Sequence, residues 1–231
     1  QAFLDLCATF ENRALMTWAG ISSTAMEEGQ TPPIDRYIVF SGKEGKALDN
    51  NVNFLNGYNY TVYAPDNAAM QIAHEQMGLP TYDQINEVYN VATSEDATAE
   101  EEAAGKAKAR KMIDAVRAFV RYHFQNNSVF ADNHVKETSY QSLYSSDLGI
   151  PVNITSKSSG GVLIVTDAAN QRIVIDASAT DRIVNRMARD YEYDQDKKTA
   201  TSIAVSSFAV VHQVSTPLCY SKSGRYDDTW R

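Results

Sequence analysis

Apolar residues recur along the first half of the chain with the spacing of amphipathic helices. Phe3, Leu6, Phe10 and Leu15 predict a helix over residues 3–18 that buries one face. A second helix is predicted from Tyr82 to Val91, and a third is predicted to end near Tyr122. The third helix places apolar side chains and one histidine on a single face: Met112, Val116, Phe119, Val120 and His123.

A strand that turns directly into a helix is predicted between these helical regions. Residues 58–64 alternate between two faces as in a strand, and Pro65 is expected to end it. Asp66 and Asn67 follow, and both are good N-cap residues for the helix that begins with the next apolar run. The segment therefore predicts strand, cap and helix within a few residues.

Residues 93–110 are polar and rich in alanine, with acidic residues ahead of basic ones. Glu100, Glu101 and Glu102 complement the positive end of a helix dipole, and Glu102 can pair with Lys106 one turn later. We interpret the segment as the solvated start of the third helix. An acidic binding site is the alternative.

After residue 122, the pattern predicts mainly β structure. Two turns are predicted at 158–161 and 167–170, a charged loop at 190–198, and a further strand or hairpin between Gly29 and Gly57. No repeat or flexible linker divides the chain, so we predict a single domain over 1–231. The predicted strands lie at 37–40, 129–131, 139–143, 152–156, 162–165, 172–175 and 201–214.

Composition changes this picture mainly by excluding partners. The 231 residues carry a net charge of −8, which disfavours binding to nucleic acid. With 43% hydrophobic residues the chain should bury a core, yet no apolar run approaches the 20 or so residues of a membrane span. Because the chain begins at Gln1 without an apolar leader, we expect that a targeting segment has been removed.

No short catalytic signature occurs in the chain, and its four histidines are not spaced as metal ligands. We therefore predict no enzymatic activity, no catalytic residue, no metal and no cofactor. Cys7 and Cys219 lie near opposite ends, and the sequence leaves open whether they pair or are two buried thiols.

His123 and His212 stand out because both lie in apolar surroundings. In a strand, His212 would share an inward face with Val210 and Val214. Each histidine is interpreted as a core residue held by hydrogen bonds. The alternative is a binding pocket that contains Tyr122, His123 and His212.

Three segments, taken together, resemble the fasciclin domain family. Residues 60–70 resemble its first signature segment, with Ala64, Pro65, Asp66 and Asn67 as the structural signature, and Tyr122-His123 resembles its tyrosine–histidine motif. Residues 210–214 resemble its second signature segment, around His212. Ser215 and Pro217 depart from the pattern, where the family usually carries an acidic and an aliphatic residue.

The resemblance implies an α+β fold, a β-sandwich or wedge with a helical layer on one side. It covers about 55–218, which leaves an N-terminal helix and β extension at 1–54 and a C-terminal tail at 219–231. Relative to the family, the chain carries insertions at about 20–56, 93–108 and 186–199, and such enlarged members look most like divergent bacterial envelope lipoproteins. A lipid anchor upstream of the chain and an extracytoplasmic location are therefore expected.

The resemblance also implies a non-enzymatic adhesion or binding module that recognises a protein or glycan partner at the cell surface. Exposed aromatic residues would serve that role, and five lie in polar stretches: Tyr191, Tyr193, Tyr220, Tyr226 and Trp230. Two alternatives stay open. One is a small-ligand-binding domain or enzyme with a pocket near Tyr122, His123 and His212, and the other is a structural module of a larger envelope protein.

Overall fold

The computed structural model describes residues 59–188, 191–194, 199–203 and 209–231, together with Ala2, Phe3, Leu6 and the backbone of two short strands near the N-terminus. Ala2, Phe3 and Leu6 are helical, in agreement with the predicted opening helix. The remainder of that helix, most of the predicted hairpin at 29–57, and Cys7 lie outside the described residues.

Beyond the opening residues, three α-helices are described, and the first begins after Asp66, one of the two N-cap residues that the sequence predicts. They are α1 at Asn67–Glu75, α2 at Tyr82–Ala92 and α3 at Ala99–Tyr122. Thr81 and Thr98 each form a capping box with the third helical residue of α2 and α3. Local side-chain chemistry therefore sets the start of each helix.

Twelve strands are described, and eight of them form one sheet. In chain order they are β1 Ser23–Met26, β2 Asp35–Tyr37, β3 Tyr60–Pro65, β4 Phe124–Asn126, β5 Val135–Ser145, β6 Pro151–Ser159, β7 Val162–Thr166, β8 Arg172–Asp176, β9 Arg186–Ala188, β10 Tyr191–Asp194, β11 Thr199–Ile203 and β12 Ala209–Val214.

The large sheet has the order β8-β7-β6-β5-β4-β3-β12-β9, and two further sheets each contain one antiparallel pair, β1-β2 and β10-β11. Within the large sheet, β3 and β12 are parallel, and the other neighbours are antiparallel. Tyr63 of β3 lies opposite His212 of β12. The fold is therefore mixed α+β, as predicted, with an eight-stranded sheet and three helices.

The core lies where α3 packs against β4 and β5. Phe119 and Tyr122 of α3 are fully buried there, as is Tyr63 of β3. Along β12, Val210, His212 and Val214 are buried, which confirms that this histidine shares an inward face with its apolar neighbours. The central strands and α3 thus position the residues that the sequence singles out.

Three predictions of secondary structure are wrong. Residues 129–131 do not form a strand, because their buried apolar side chains belong to an irregular segment after β4. Residues 201–214 are not one strand, since β11 pairs with β10 whereas β12 lies between β3 and β9. Part of the predicted loop at 190–198 is strand β10.

Candidate functional site

The three residues predicted to line a binding pocket lie around the centre of the large sheet. Tyr122 is the last residue of α3, and His123 follows as its C-cap before β4 begins at Phe124. His212 lies in β12, two strands away from β4. Tyr63 connects them, because its N–H donates to the His123 carbonyl at 2.9 Å and its ring lies 6.0 Å from that of His212.

Both ring nitrogens of His123 are occupied by backbone groups. A carbonyl can only accept, so Nδ1–H donates to the Phe119 oxygen at 2.7 Å, and Nε2 accepts from the Leu218 N–H at 3.0 Å. The imidazole is fully buried, and burial lowers the pKa of His123 to about 4. The ring is therefore neutral at physiological pH and joins α3 to the segment after β12.

His212 is held in the opposite tautomer. Its Nε2–H donates to the Val129 carbonyl at 2.8 Å, and Nδ1 accepts from the Asn185 N–H at 3.3 Å. Burial lowers the pKa of His212 below its ordinary value, although the nearby Asp132 opposes the change. This histidine therefore ties the irregular segment after β4 to the segment before β9.

Tyr122 has a similar connecting role. Its hydroxyl donates to the Asn153 carbonyl at 3.0 Å and accepts from the Ala168 N–H at 2.8 Å, which joins α3 to β6 and to the turn at 167–170. Desolvation by burial is the main reason why the pKa of Tyr122 is raised. The phenol is therefore neutral and acts as a structural hydrogen-bonding group.

Asp167, which the sequence did not single out, completes this buried junction. Its carboxylate accepts from three backbone groups: the N–H of Ala169 at 3.0 Å, of Gln171 at 2.8 Å and of Cys219 at 2.8 Å. Burial raises the pKa of Asp167, against the effect of these bonds. The signal that could have found it is its position at the first residue of a predicted turn.

The observed contacts give His123, His212 and Tyr122 structural roles. None of these three side chains belongs to the lining of the clefts described below. A binding role for them stays a prediction.

The signature residues Ala64, Pro65, Asp66 and Asn67 lie where β3 passes into α1. Asp66 is the N-cap, and its Oδ1 accepts from the Ala69 N–H at 2.8 Å. Asn67 is the first helical residue, and its side chain accepts from the Ala2 N–H instead. Pro65 is the last residue of β3 rather than a residue beyond it. All four line a cleft of about 560 Å³ at the end of β3 and β12.

A second surface feature is the tip of the hairpin between β5 and β6. Leu148 and Ile150 are 85% and 60% exposed, on either side of Gly149, whose φ of +72° suits the turn. Beside it lies the tyrosine cleft, a cavity of about 290 Å³. The tyrosine cleft is lined by Lys111, Asp114, Ala115, Ala118, Tyr144, Asp147, Tyr220 and Thr229.

The C-terminal aromatic residues are placed differently from the prediction. Tyr220 and Tyr226 are buried rather than exposed, and their rings lie 5.4 Å apart in the core. Trp230 is partly buried, and the side chains of Tyr191 and Tyr193 lie outside the described residues. Residues 219–231 therefore pack as part of the domain.

Cys219 is buried in the same segment, and burial raises the pKa of its thiol to about 12. Cys7 lies outside the described residues, so whether the two cysteines pair stays open.

A third feature is the α2–α3 groove, a cleft of about 500 Å³ between these two helices. Gly105 of α3 lies so close to Ala92 of α2 that an added Cβ would stand 2.4 Å from the Ala92 Cβ. The groove is lined by Glu87, Val88, Val91, Ala92, Ser94, Asp96, Ala97, Glu101 and Gly105.

Within the described ranges, no cluster of three histidine, cysteine or acidic side chains is placed to hold a metal ion. The described helices include none that combines the length and apolarity needed to cross a bilayer. No family model matches the chain, and no curated protein matches it with significant similarity. The likeness to fasciclin domains therefore stays a prediction from the three segments.

Proposed function

We propose that this protein is a non-enzymatic binding module of the cell surface or the secreted space, similar to fasciclin domains, that recognises a protein partner. The binding surface combines the β5–β6 hairpin tip with the tyrosine cleft beside it. The proposal includes a fasciclin-like wedge as the architecture and an extracytoplasmic location, both of which derive from the resemblance.

The observation that carries the proposal is the exposure of Leu148 and Ile150. Most large apolar side chains of the described residues are buried, whereas these two extend into water on one turn. Full burial against a partner would contribute about 1.5–3 kcal/mol for each side chain. An apolar tip next to a cleft with polar and aromatic walls has the composition of a protein interface.

The chemistry of the tip favours a protein over a glycan. Leucine and isoleucine have no ring face on which a sugar can stack, and they have no side-chain hydrogen-bonding group for a hydroxyl. They match the apolar side chains of another protein. The tyrosine cleft adds Lys111, Asp114 and Asp147, which can form a polar rim.

The positions of the three resembling segments also support the proposal. β3 and β12 are adjacent and parallel, and Tyr122-His123 immediately precedes the strand on the other side of β3. Segments far apart in the sequence are thus neighbours in the sheet. This arrangement is expected if the three segments belong to one structural unit.

The test is binding of the labelled 231-residue chain to protein and glycan arrays. The double variant Leu148→Ser/Ile150→Ser should weaken binding to protein partners at least about tenfold, because it removes most of the apolar contact. Val174→Ser is the matched control, since Val174 is 61% exposed on the edge strand β8.

If the chain bound only glycans, the proposed protein partner would be wrong and the partner would be a carbohydrate. A chain that binds nothing above background, or a double variant that binds as tightly as the control, would remove the proposal.

A further inference from the structure

The α2–α3 groove has an apolar floor that reaches the protein surface. Val88, Ala92 and Gly105 form its inner part, and Val91, one turn of α2 from Val88, is 68% exposed. Because Gly105 carries no side chain, α3 approaches α2 closely at Ala92. The exposed valine is therefore the outer edge of an apolar strip.

The rim of the groove is negatively charged. Glu87, Asp96 and Glu101 line it, and the described residues along its wall include no lysine or arginine. The two lysines that follow Gly105 in α3 have other contacts, since Lys106 pairs with Glu102 and Lys108 lies 6.0 Å from the ring centre of Trp230. The charge of the rim is thus not balanced by these lysines.

Helix capping explains only part of this charge. Glu101 accepts from the N–H and the hydroxyl of Thr98 through one carboxylate oxygen, Oε2, and these bonds lower its pKa. Glu87 lies in the middle of α2, where its carboxylate neither caps the helix nor interacts favourably with the helix dipole. Glu87 is exposed beside the apolar strip, so its carboxylate is accessible to a partner.

We propose that the α2–α3 groove binds a cationic amphipathic segment of a partner protein, with an apolar side chain in the groove and lysine or arginine on the acidic rim. An apolar groove between two helices is a recurrent site for such segments. Complementary charge on the rim would speed association and select basic partners over acidic ones. This surface is separate from the hairpin tip and does not depend on it.

The test uses a displayed library of random 12-residue peptides selected on the 231-residue chain. Enriched peptides should combine a large apolar residue with at least two lysines or arginines. Their dissociation constants are then measured on four variants of the chain, at two salt concentrations. Thermal unfolding of each variant checks that the fold is retained.

Two variants alter the groove, and two serve as controls. Val91→Ser and Glu87→Gln/Asp96→Asn should each raise the dissociation constant about tenfold, the second more at low salt than at high salt. The control Glu75→Gln/Glu137→Gln removes the same charge from exposed positions that do not line the groove and should leave binding within about twofold. The hairpin variant Leu148→Ser/Ile150→Ser should also have no effect.

The result that overturns the proposal is a library without enrichment, enrichment of neutral or acidic peptides, or equal binding by groove and control variants. Loss of binding in the hairpin variant alone would place the site at the hairpin and would also overturn it. A negative result at the α2–α3 groove would not affect the proposed binding surface at the hairpin tip, because the two surfaces share no residue. The array experiment tests that surface separately.

Discussion

Acidification should destabilise this protein through His123 before most carboxylates are protonated. In the folded state, Nε2 of His123 accepts from the Leu218 N–H and Nδ1–H donates to the Phe119 carbonyl. A proton added to Nε2 would face a backbone donor in a fully buried site. The charged ring is therefore much less stable in the folded chain than in the unfolded one.

The direction and the magnitude of this loss of stability follow from the linkage between protonation and folding. The pKa of His123 is about 4 in the folded state and 6.5 as the ordinary value, so the unfolded chain binds more protons between these pH values. The free energy of unfolding should thus fall as pH falls from about 6.5 to about 4, by about 3 kcal/mol in total. Above pH 6.5 this contribution is fully present.

The assay is urea unfolding at several pH values from 7 to 4.5, on the wild-type chain and on His123→Gln. Glutamine has a carbonyl oxygen that can accept from Leu218 but does not titrate. The variant should be less stable at pH 7, and the difference from wild type should shrink by about 2 kcal/mol at pH 4.5. Both chains contain the same carboxylates and His212, so the contributions of these groups to the pH dependence of stability cancel in the comparison. The lowered pKa of His212 would otherwise act in the same direction as that of His123.

The control is His134→Gln, because His134 is exposed. This variant should keep the pH dependence of the wild type. If the stability difference between wild type and His123→Gln does not change with pH, His123 is not a buried neutral acceptor, and the reasoning from its contacts fails.

Two further substitutions test the connections around the central strands. Asp66→Ala should lower the free energy of unfolding by about 1 kcal/mol in urea titrations through loss of the α1 cap, whereas Asp66→Asn, which can still cap, should lower it by much less. Asp167→Asn should cost about 2 kcal/mol, because one amide oxygen cannot accept from all three N–H groups; a cost no larger than that of the exposed control Asp83→Asn would contradict the role of Asp167 as a junction.

Local chemistry made the helices predictable. Asp66, Thr81 and Thr98 each accept from a backbone N–H of the following first turn, and such signals can be read from a few adjacent residues. The same holds for the turn at 158–161, where Gly160 and Gly161 both have positive φ. Helix starts and tight turns depend on interactions between neighbours in the chain.

Strand partners were not predictable in this way. Residues 201–214 have the continuous β propensity of one strand, yet their two ends lie in different sheets. The sequence also placed Tyr220 and Tyr226 at the surface because their neighbours are polar, whereas both are buried, Tyr226 against Phe119 and Tyr220 against Tyr226. The β propensity of a segment indicates that it can form a strand. It does not indicate which strand it will pair with, because that depends on residues far away in the sequence.

For the candidate site, sequence patterns were sufficient to place His123 and His212 among apolar residues and to begin a helix near Asp66 and Asn67. The hydrogen bonds of the two histidines became known only from the folded chain. His123 receives its hydrogen bond from a residue 95 positions away and His212 gives one to a residue 83 positions away, so their tautomers depend on packing. The α2–α3 groove arises in the same way, because Gly105 matters only once Ala92 lies against it.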